Sequence, residues 1–338
     1  MAPNRRQFMK AAGAAGVAAA AAQLPFAGAA EGAPARGARG LPKRLTLLTF
    51  RRDGALRLGA KTDKGVLDVA AAAAALRLHA PGSLDELLQQ EDGPSVNAVV
   101  DAALKDASLG RAFLKEDGLE YGPLVSRPEK IVCVGLNYRK HAAELKMPIP
   151  KEPVLFNKFN NALNCHGGTV KLPAAIAKKF DYETELVMII GREAKDVSEA
   201  DALSYVAGYA TGNDFTARDL QFETGGQWMV GKTPDGFAPL GPYFVSADQI
   251  DPDKLKIECR VNGETRQSSS TSDFIFNARQ MVSYISHHLT LRPGDIIFTG
   301  TPEGVIQGKP PDQRVWLKPG DKIACSLERL GELRFALT

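Results

Sequence analysis

The stretch FDYETELVMII (Phe180 to Ile190) threads three acids through an apolar run at alternate positions. In an extended chain alternate side chains share a face, so Asp181, Glu183 and Glu185 point one way, followed there by Val187 and Ile189. Three carboxylates so spaced repel one another, and burying even one unpaired charge is costly. This end of the strand is therefore either wet, like a charged edge strand, or it holds a cation. A further acid, Asp214, sits in ATGNDFTARDLQ (Ala210 to Gln221), after Gly212 and among Thr, Asn and Arg. Hard oxygen donors suit Mg²⁺ or Mn²⁺, and two glutamates with one aspartate leave positions open for water and substrate. Arg218 lies one turn beyond Asp214 if the segment is helical, and Gln221 one turn further; Arg218 reads equally as a structural ion-pair partner.

Three other groups could carry chemistry. In GLNYRKHAAEL (Gly135 to Leu145), His141 and Glu144 stand at i and i+3, neighbouring positions on one helical face. A carboxylate there can fix the imidazole tautomer and make a general base; the bland alternative is a surface His/Glu pair. Lys158 in VLFNKFNNAL and Lys232 in QWMVGKTPDGFAPLGP are cations among apolar residues, able to face an enolate or a substrate carboxylate, or to be ordinary loop lysines. GDIIFTGTPEGV (Gly294 to Val305) is a strand feeding a Gly/Pro turn, whose N–H groups and Thr299 and Thr301 hydroxyls could grip an anion.

The elements that must position these groups are mostly short strands. From Arg127 onward KIVCVGLNY, PVLFNKF, YETELVMIIG, LKIECRVNGE, DIIFTGTP and KIACSLE read as strands split by Gly and Pro, with helices expected at SEADALSYVAGY, capped by Ser198, and at ARQMVSYISHHL. This is a strand-rich α+β pattern without regular βαβ alternation. A smaller α+β unit is expected at 43–125. RLTLLTF and ALRLGAKT pair there around Asp53-Gly54, SLDELLQQ opens a helix with a capping box, and VNAVVDAALKDA is a second helix. It carries no catalytic cluster and reads as a lid, dimerisation or folding module. The catalytic part is expected at 127–338.

At 338 residues, with 44% hydrophobic and 24% charged, the composition is that of a globular chain with a sizeable core. Arg5, Arg6 and Lys10 fall in the first 30 residues, which hold no acid; the rest then balances, so the net charge of +3 is no footprint for nucleic acid. NRRQFMK, an Ala-rich stretch and AGA at Ala27 to Ala29 look like a twin-arginine export signal over residues 1–30, cleaved near Ala29 or Ala30. A Gly/Pro/Ala linker follows at 31–42. A periplasmic location and a transient partnership with the twin-arginine translocase are expected from it. The four cysteines show no CxxC or zinc spacing, and no disulfide is expected.

Taken together, KIVCVGLNYRKHAAEL, EPVLFNKFNNAL, FDYETELVMIIG, SEADALSYVAGYATGNDFTARDLQ, GQWMVGKTPDGFAPLGP, VNGETRQ and LRPGDIIFTGTPEGV resemble, in order, the motifs of the fumarylacetoacetate hydrolase family. The resemblance runs from about Pro128 to the C-terminus and implies that family's β-rich α+β fold, usually in a homodimer. It implies a divalent cation, Mg²⁺ or Mn²⁺, on Glu183, Glu185 and Asp214, with Asp181 in the motif but not a ligand. It implies that His141 and Glu144 activate water, that Lys232 faces the reacting oxyanion, and that Lys158, Arg218, Gln221 and Thr301 contact substrate. Full-length fumarylacetoacetate hydrolases bring a further aspartate ligand from just before the His segment, and VCVGLNY offers none. This points to the three-carboxylate branch of acylpyruvases and hydroxymuconate isomerases. The expected reaction is metal-dependent hydrolysis of a C–C bond in a 2,4-dioxo acid, acylpyruvate or fumarylpyruvate-like, through a pyruvate enolate. The alternatives are an isomerase, decarboxylase or hydratase of a hydroxymuconate-type 2-oxo acid, or a non-catalytic exported oxo-acid binder.

Overall fold

The structure is a computed structural model that describes residues 39–338. The expected export signal, its cleavage point and most of the linker lie outside the described residues.

The described chain opens with a meander of β1 (Thr46–Arg52), β2 (Ala55–Thr62) and β3 (Gly65–Asp68). Asp53 and Gly54, with φ of 51° and 75°, supply the left-handed pair that a two-residue hairpin turn requires. Helices α1 (Val69–Leu76), α2 (Leu84–Gln90) and α3 (Gly93–Lys105) follow, then β4 (Phe113–Leu114). The Ser83 hydroxyl caps α2 by accepting the Glu86 N–H at 3.1 Å, a contact worth about 1 kcal/mol. Beyond these come β5 (Ile131–Gly135), α4 (Arg139–Glu144), β6 (Val154–Lys158), β7 (Leu163–Cys165) and β8 (Thr169–Val170). The acid-bearing segment is two strands, β9 (Phe180–Asp181) and β10 (Thr184–Ile190), followed by β11 (Val206–Asn213), β12 (Thr216–Ala217), α5 (Arg218–Phe222) and α6 (Met229–Lys232). β13 (Ala238–Leu240), β14 (Phe244–Ser246), β15 (Lys256–Val261), β16 (Glu264–Ser270), α7 (Ala278–His288), β17 (Ile296–Phe298), β18 (Lys322–Leu327) and β19 (Gly331–Leu337) complete the chain. The class is the expected strand-rich α+β.

Twelve strands form one mixed sheet whose main path runs β4-β3-β2-β1-β14-β11-β10-β17-β5-β6, with β13 on β11 and β7 on β13. A five-stranded sheet, β16-β15-β18-β19-β8, and the pair β12-β9 stand apart from it. β10 is central, between β11 and β17, and every one of its residues is buried. Its alternation is as the sequence implies: Val187 and Ile189 join one hydrophobic cluster, and Leu186, Met188 and Ile190 join the cluster on the other side. Pairing of β1 with β14, Thr46 to Val245 and Leu47 to Phe244, makes the first meander part of the sheet that carries the acids.

Two expectations are corrected here. The run Phe180 to Ile190 is interrupted at Tyr182–Glu183, where side chains replace ladder partners: Asn213 Oδ1 accepts the Glu183 N–H at 3.3 Å, and Gln267 Oε1 that of Thr184 at 3.1 Å. SEADALSYVAGY is not a helix but a 3₁₀ turn at Ala202–Tyr205 running into β11, with no helix for Ser198 to cap. β11 is buried along its whole length, so its sequence shows no alternation, and the Ala-rich turn before it imitates a helix. Its glycines mark it as a central strand: a Cβ on Gly208 would meet Phe244 and Val245 O at 2.5 Å, and one on Gly212 would meet Val187 at 2.5 Å. Among the described residues no helix is long and apolar enough to cross a membrane, and all four cysteines are free.

Candidate active site

The register of β10 and β11 gathers the acids. Thr184 pairs with Asn213, which sets Asp214 beside Glu183, and the Asp214 N–H donates to Glu183 O at 2.8 Å. One oxygen each from Glu183, Glu185 and Asp214 lies within 4.8 Å of the other two, and all three residues are buried. Asp181 turns away from them. It accepts the Ile306 and Gln307 N–H groups at 2.9 and 3.0 Å and the Arg218 Nε–H at 2.9 Å, tying the loop after Thr301 to the acid strand.

Three buried cations answer these acids. Arg218, which begins α5, is reached through extended residues and β12 rather than by the helical turn considered above. Its Nη2 donates to Glu183 Oε1 at 2.7 Å and its Nη1 to Gln221 Oε1 at 3.0 Å, so Arg218 and Gln221 form one unit, i and i+3 on α5. Lys232, on α6, bonds Glu183 and reaches Asp214 Oδ2 at 2.8 Å. Gly231 makes this approach possible, because a Cβ there would meet Gln221 N at 2.5 Å and Ala217 O at 2.6 Å. Lys158 stands behind Asp214 rather than in the cavity wall. Its Nζ donates to Phe215 O at 3.1 Å, Phe237 O at 2.9 Å and Lys232 O, and lies 2.5 Å from Asp214 Oδ1. With these acceptors taken, Lys158 holds the site's backbone rather than presenting a free ammonium.

The electrostatic result is uneven. Burial would push the Glu183 carboxyl up, but Arg218 and Lys232 outweigh it and hold Glu183 well below the usual range. Glu185 goes the other way: burial, then the charges of Asp214 and Glu183, drive it well above that range. Its Oε2 accepts the Gly300 N–H at 2.7 Å, which does not offset this. Burial would lower the Lys232 ammonium, yet Asp214 and Glu183 hold it up. Four carboxyl groups, Asp181, Glu183, Glu185 and Asp214, thus meet three cationic groups, Arg218, Lys232 and Lys158, with Glu185 left short of a counter-charge. An all-oxygen donor set that includes a carboxyl without a matching cation fits a divalent cation.

His141, on α4, places Nδ1 2.8 Å from Glu144 Oε1, and the Gly304 N–H donates to Glu144 Oε2 at 3.0 Å. Gly304 takes φ of 101°, which favours glycine, and a Cβ there would strike Arg266 O at 2.2 Å. The Thr301 hydroxyl donates to Thr184 O at 3.0 Å and accepts from Gln267 Nε2 at 2.8 Å. Thr299 does not reach the cavity; its hydroxyl is spent on Leu186 O at 2.8 Å, and the Gly300 N–H goes to Glu185 rather than to an anion.

One cavity joins these groups. Glu183, Glu185, Asp214, Arg218, Gln221, Lys232, His141 and Thr301 line it, and water-sized molecules can be centred over about 80 Å³ of it. The rest of its wall is apolar, Leu136, Leu145, Met147, Phe156, Phe222 and Trp228 among it, and none of these was legible as a site residue. The only sequence signal was a tryptophan set in a Gly-rich turn, GGQWMVGK. Asp181 and Gln267 were equally hidden as anchors, because their partners lie far along the chain.

The fumarylacetoacetate (FAA) hydrolase C-terminal profile matches residues 130–338. The fumarylacetoacetate hydrolase domain-containing protein 2 homolog of Dictyostelium discoideum is 40% identical over 87% of this chain and 96% of its own length. The mitochondrial oxaloacetate tautomerase FAHD2A of Bos taurus is 42% identical over 74% of this chain and 78% of its own. Among solved structures, fumarylacetoacetate hydrolase from Exiguobacterium antarcticum superposes with a TM-score of 0.73 at 32% identity, covering 87% of this chain and 99% of that one. Fumarylpyruvate hydrolase from Pseudomonas aeruginosa, in complex with Mn²⁺ and pyruvate, gives 0.56 at 34% identity, covering 62% of this chain and 89% of that one. The periplasmic location expected from the N-terminal arginine pair is overturned by the curated relatives, the Dictyostelium discoideum and Bos taurus proteins among them, which are eukaryotic and, for the tautomerases, mitochondrial rather than exported by the twin-arginine route. On the profile match and the relatives alike, the chain belongs to the fumarylacetoacetate hydrolase family.

Proposed function

We propose that the protein is a divalent-metal-dependent enzyme that interconverts the keto and enol forms of a small 2-oxo acid, as the oxaloacetate tautomerases among its relatives are named for doing. The observation that carries this reading is the meeting, in one cavity, of the three-carboxylate cluster, Lys232 and the His141–Glu144 pair. Glu183, Glu185 and Asp214 would hold the ion, which when bound supplies Lewis-acid polarisation of the oxo acid. Arg218, steadied by Asp181 and Gln221, offers its remaining N–H groups to the substrate carboxylate, beside Thr301 in the cavity wall. Glu144 takes the Nδ1–H of His141, which leaves Nε2 to remove and return a proton at the carbon beside the oxo group. Lys232 faces the oxygen on which charge develops.

A second reading, hydrolysis of a 2,4-dioxo acid, is favoured by the same His141–Glu144 pair, since the imidazole can as readily take a proton from water. Two assays on the purified protein with Mg²⁺ or Mn²⁺, each with an EDTA control, separate them. Accelerated loss of enol absorbance from oxaloacetate without pyruvate release supports the tautomerase. Metal-dependent release of pyruvate from acetylpyruvate supports the hydrolase. The absence of both signals from metal-loaded protein would refute the enolate chemistry common to both.

A further inference from the structure

Asp181 and Tyr182, which precede the carboxylate cluster, make contacts that reach both working ends of the cavity. Asp181 is fully buried, and its two oxygens accept four N–H groups. Oδ1 takes those of Tyr182 at 3.0 Å and Ile306 at 2.9 Å; Oδ2 takes Gln307 at 3.0 Å and Arg218 Nε at 2.9 Å. Ile306 and Gln307 open a 3₁₀ turn, Ile306–Gly308, whose backbone lies against Glu144: a Cβ on Gly308 would stand 2.5 Å from Glu144 Cδ. Gly304, just before the turn, is held from two sides. Its N–H donates to Glu144 Oε2 at 3.0 Å, and its carbonyl accepts the hydroxyl of the buried Tyr182 at 2.8 Å. The path from Tyr182 through Gly304 and Glu144 to His141 Nδ1 is therefore unbroken. On the opposite side, Asp181 and Glu183 hold Arg218 by Nε and Nη2.

We infer that Asp181 and Tyr182 are positioning residues: they seat the 304–308 loop against Glu144, and so fix His141 relative to Arg218 across the cavity. The inference rests on the proposed keto–enol chemistry and deepens it, by naming what keeps the base and the carboxylate clamp in register. Such register matters, because a misplacement of about 1 Å can cost about 100-fold in rate. His141 stands on α4, of six residues, and Arg218 on α5, of five, helices too short to hold their own geometry. The Asp181 carboxylate touches the support of both. A role as counter-charge alone would explain its bond to Arg218 but not the two loop N–H groups or the tie from Tyr182 to Gly304.

The test uses the full chain loaded with Mg²⁺. Tyr182→Phe removes only the tie to Gly304. Asp181→Asn cannot keep all four bonds, because whichever oxygen becomes an amide nitrogen, one loop N–H then faces an NH₂ group. With oxaloacetate, Tyr182→Phe should lose about tenfold in kcat with KM and Mg²⁺ affinity unchanged, and Asp181→Asn about 100-fold. Asp181→Asn should also raise KM and weaken calorimetric binding of oxalate, since Arg218 loses its anchor. On a Glu144→Gln background, Tyr182→Phe should lower kcat no further, because the tie acts through Glu144. A readout independent of turnover is the His141 Nδ1–H proton in NMR spectra, identified by its loss in His141→Ala. Its exchange with water should quicken about tenfold in Tyr182→Phe. Should Asp181→Asn fail to fold, Tyr182→Phe, which removes a single hydroxyl, still decides. Wild-type kcat in Tyr182→Phe, losses that multiply across Tyr182→Phe and Glu144→Gln, or unchanged proton exchange overturns the inference. No turnover by the wild type, with quickened exchange in Tyr182→Phe, would refute the keto–enol chemistry and retain the pair as the seat of the imidazole.

Discussion

Two polar clusters in this molecule use similar groups to opposite ends. At the rim of the N-terminal meander, Glu116 bonds Lys61 at 2.9 Å and Tyr121 at 2.8 Å, and also takes the Tyr243 hydroxyl. Burial would raise the Glu116 carboxyl, but hydrogen bonds from Tyr243, Lys61 and Tyr121 outweigh it and hold it below the usual range. In the cavity, Glu185 is buried, and that burial, with the charges of Asp214 and Glu183, drives it up against the pull of Lys232. One acid is content with what the chain supplies; the other is not. A buried acid without a matching charge is a poor structural element, and its persistence at the centre of a sheet marks a site built for something the chain does not contain.

The largest break in that contrast should come from Glu183→Gln. It removes the proposed metal site and also leaves Arg218 and Lys232 short of a counter-charge, a loss of about 3–5 kcal/mol for a broken buried pair. Calorimetric titration with Mn²⁺ and a thermal melt of the metal-free protein read the two effects, and tight metal retention would sink the assignment. Glu185→Gln should lose metal equally but leave the metal-free melt unchanged or raised, since it replaces a carboxyl whose charged form burial and its acidic neighbours disfavour; a melt lowered as far as that of Glu183→Gln would show that the two acids are not unequal. His141→Ala should keep the metal and lose about 10²- to 10⁴-fold in turnover. Loss of metal in that variant would place His141 in the wrong role.

The smallest effect belongs to the balanced cluster. Because the folded Glu116 carboxyl lies below its unfolded value, near 4.3, its contribution to stability is complete above that value. It is then lost as pH falls through the lower folded one. Melting temperatures from pH 7 down to pH 3 should therefore fall less steeply in Glu116→Gln than in the wild type. The difference should be modest, as the cluster is partly open to water. Parallel curves would mean that Glu116 carries no net stabilisation.

Much of the candidate site was legible because its signals are local. Period-two acids in an apolar run, an i, i+3 His/Glu pair and a lysine after glycine each announce themselves within a few residues. What escaped depends on partners remote in sequence. Asp181 reads like its neighbours Glu183 and Glu185, and only the approach of Ile306 and Gln307, 125 and 126 residues on, makes it an anchor. Lys158 reads as an available ammonium until three backbone carbonyls and Asp214 enclose it. β11 was mistaken for a helix because a strand covered on both faces loses the alternation by which strands are recognised. The apolar wall around Trp228 has no periodicity at all; its members come from β5, β6, α5 and the segments after α4 and α5.

The seam between β1 and β14 has a practical consequence. β14 flanks β11, which flanks the acid-bearing β10, so the meander covers the open edge of the sheet two strands from the candidate metal centre. Shortening the protein to the part that holds the cavity residues would bare the backbone donors and acceptors of β14 along that edge. An uncovered edge of this kind recruits other chains. Such a fragment should fail first by self-association, with its catalytic groups still in place.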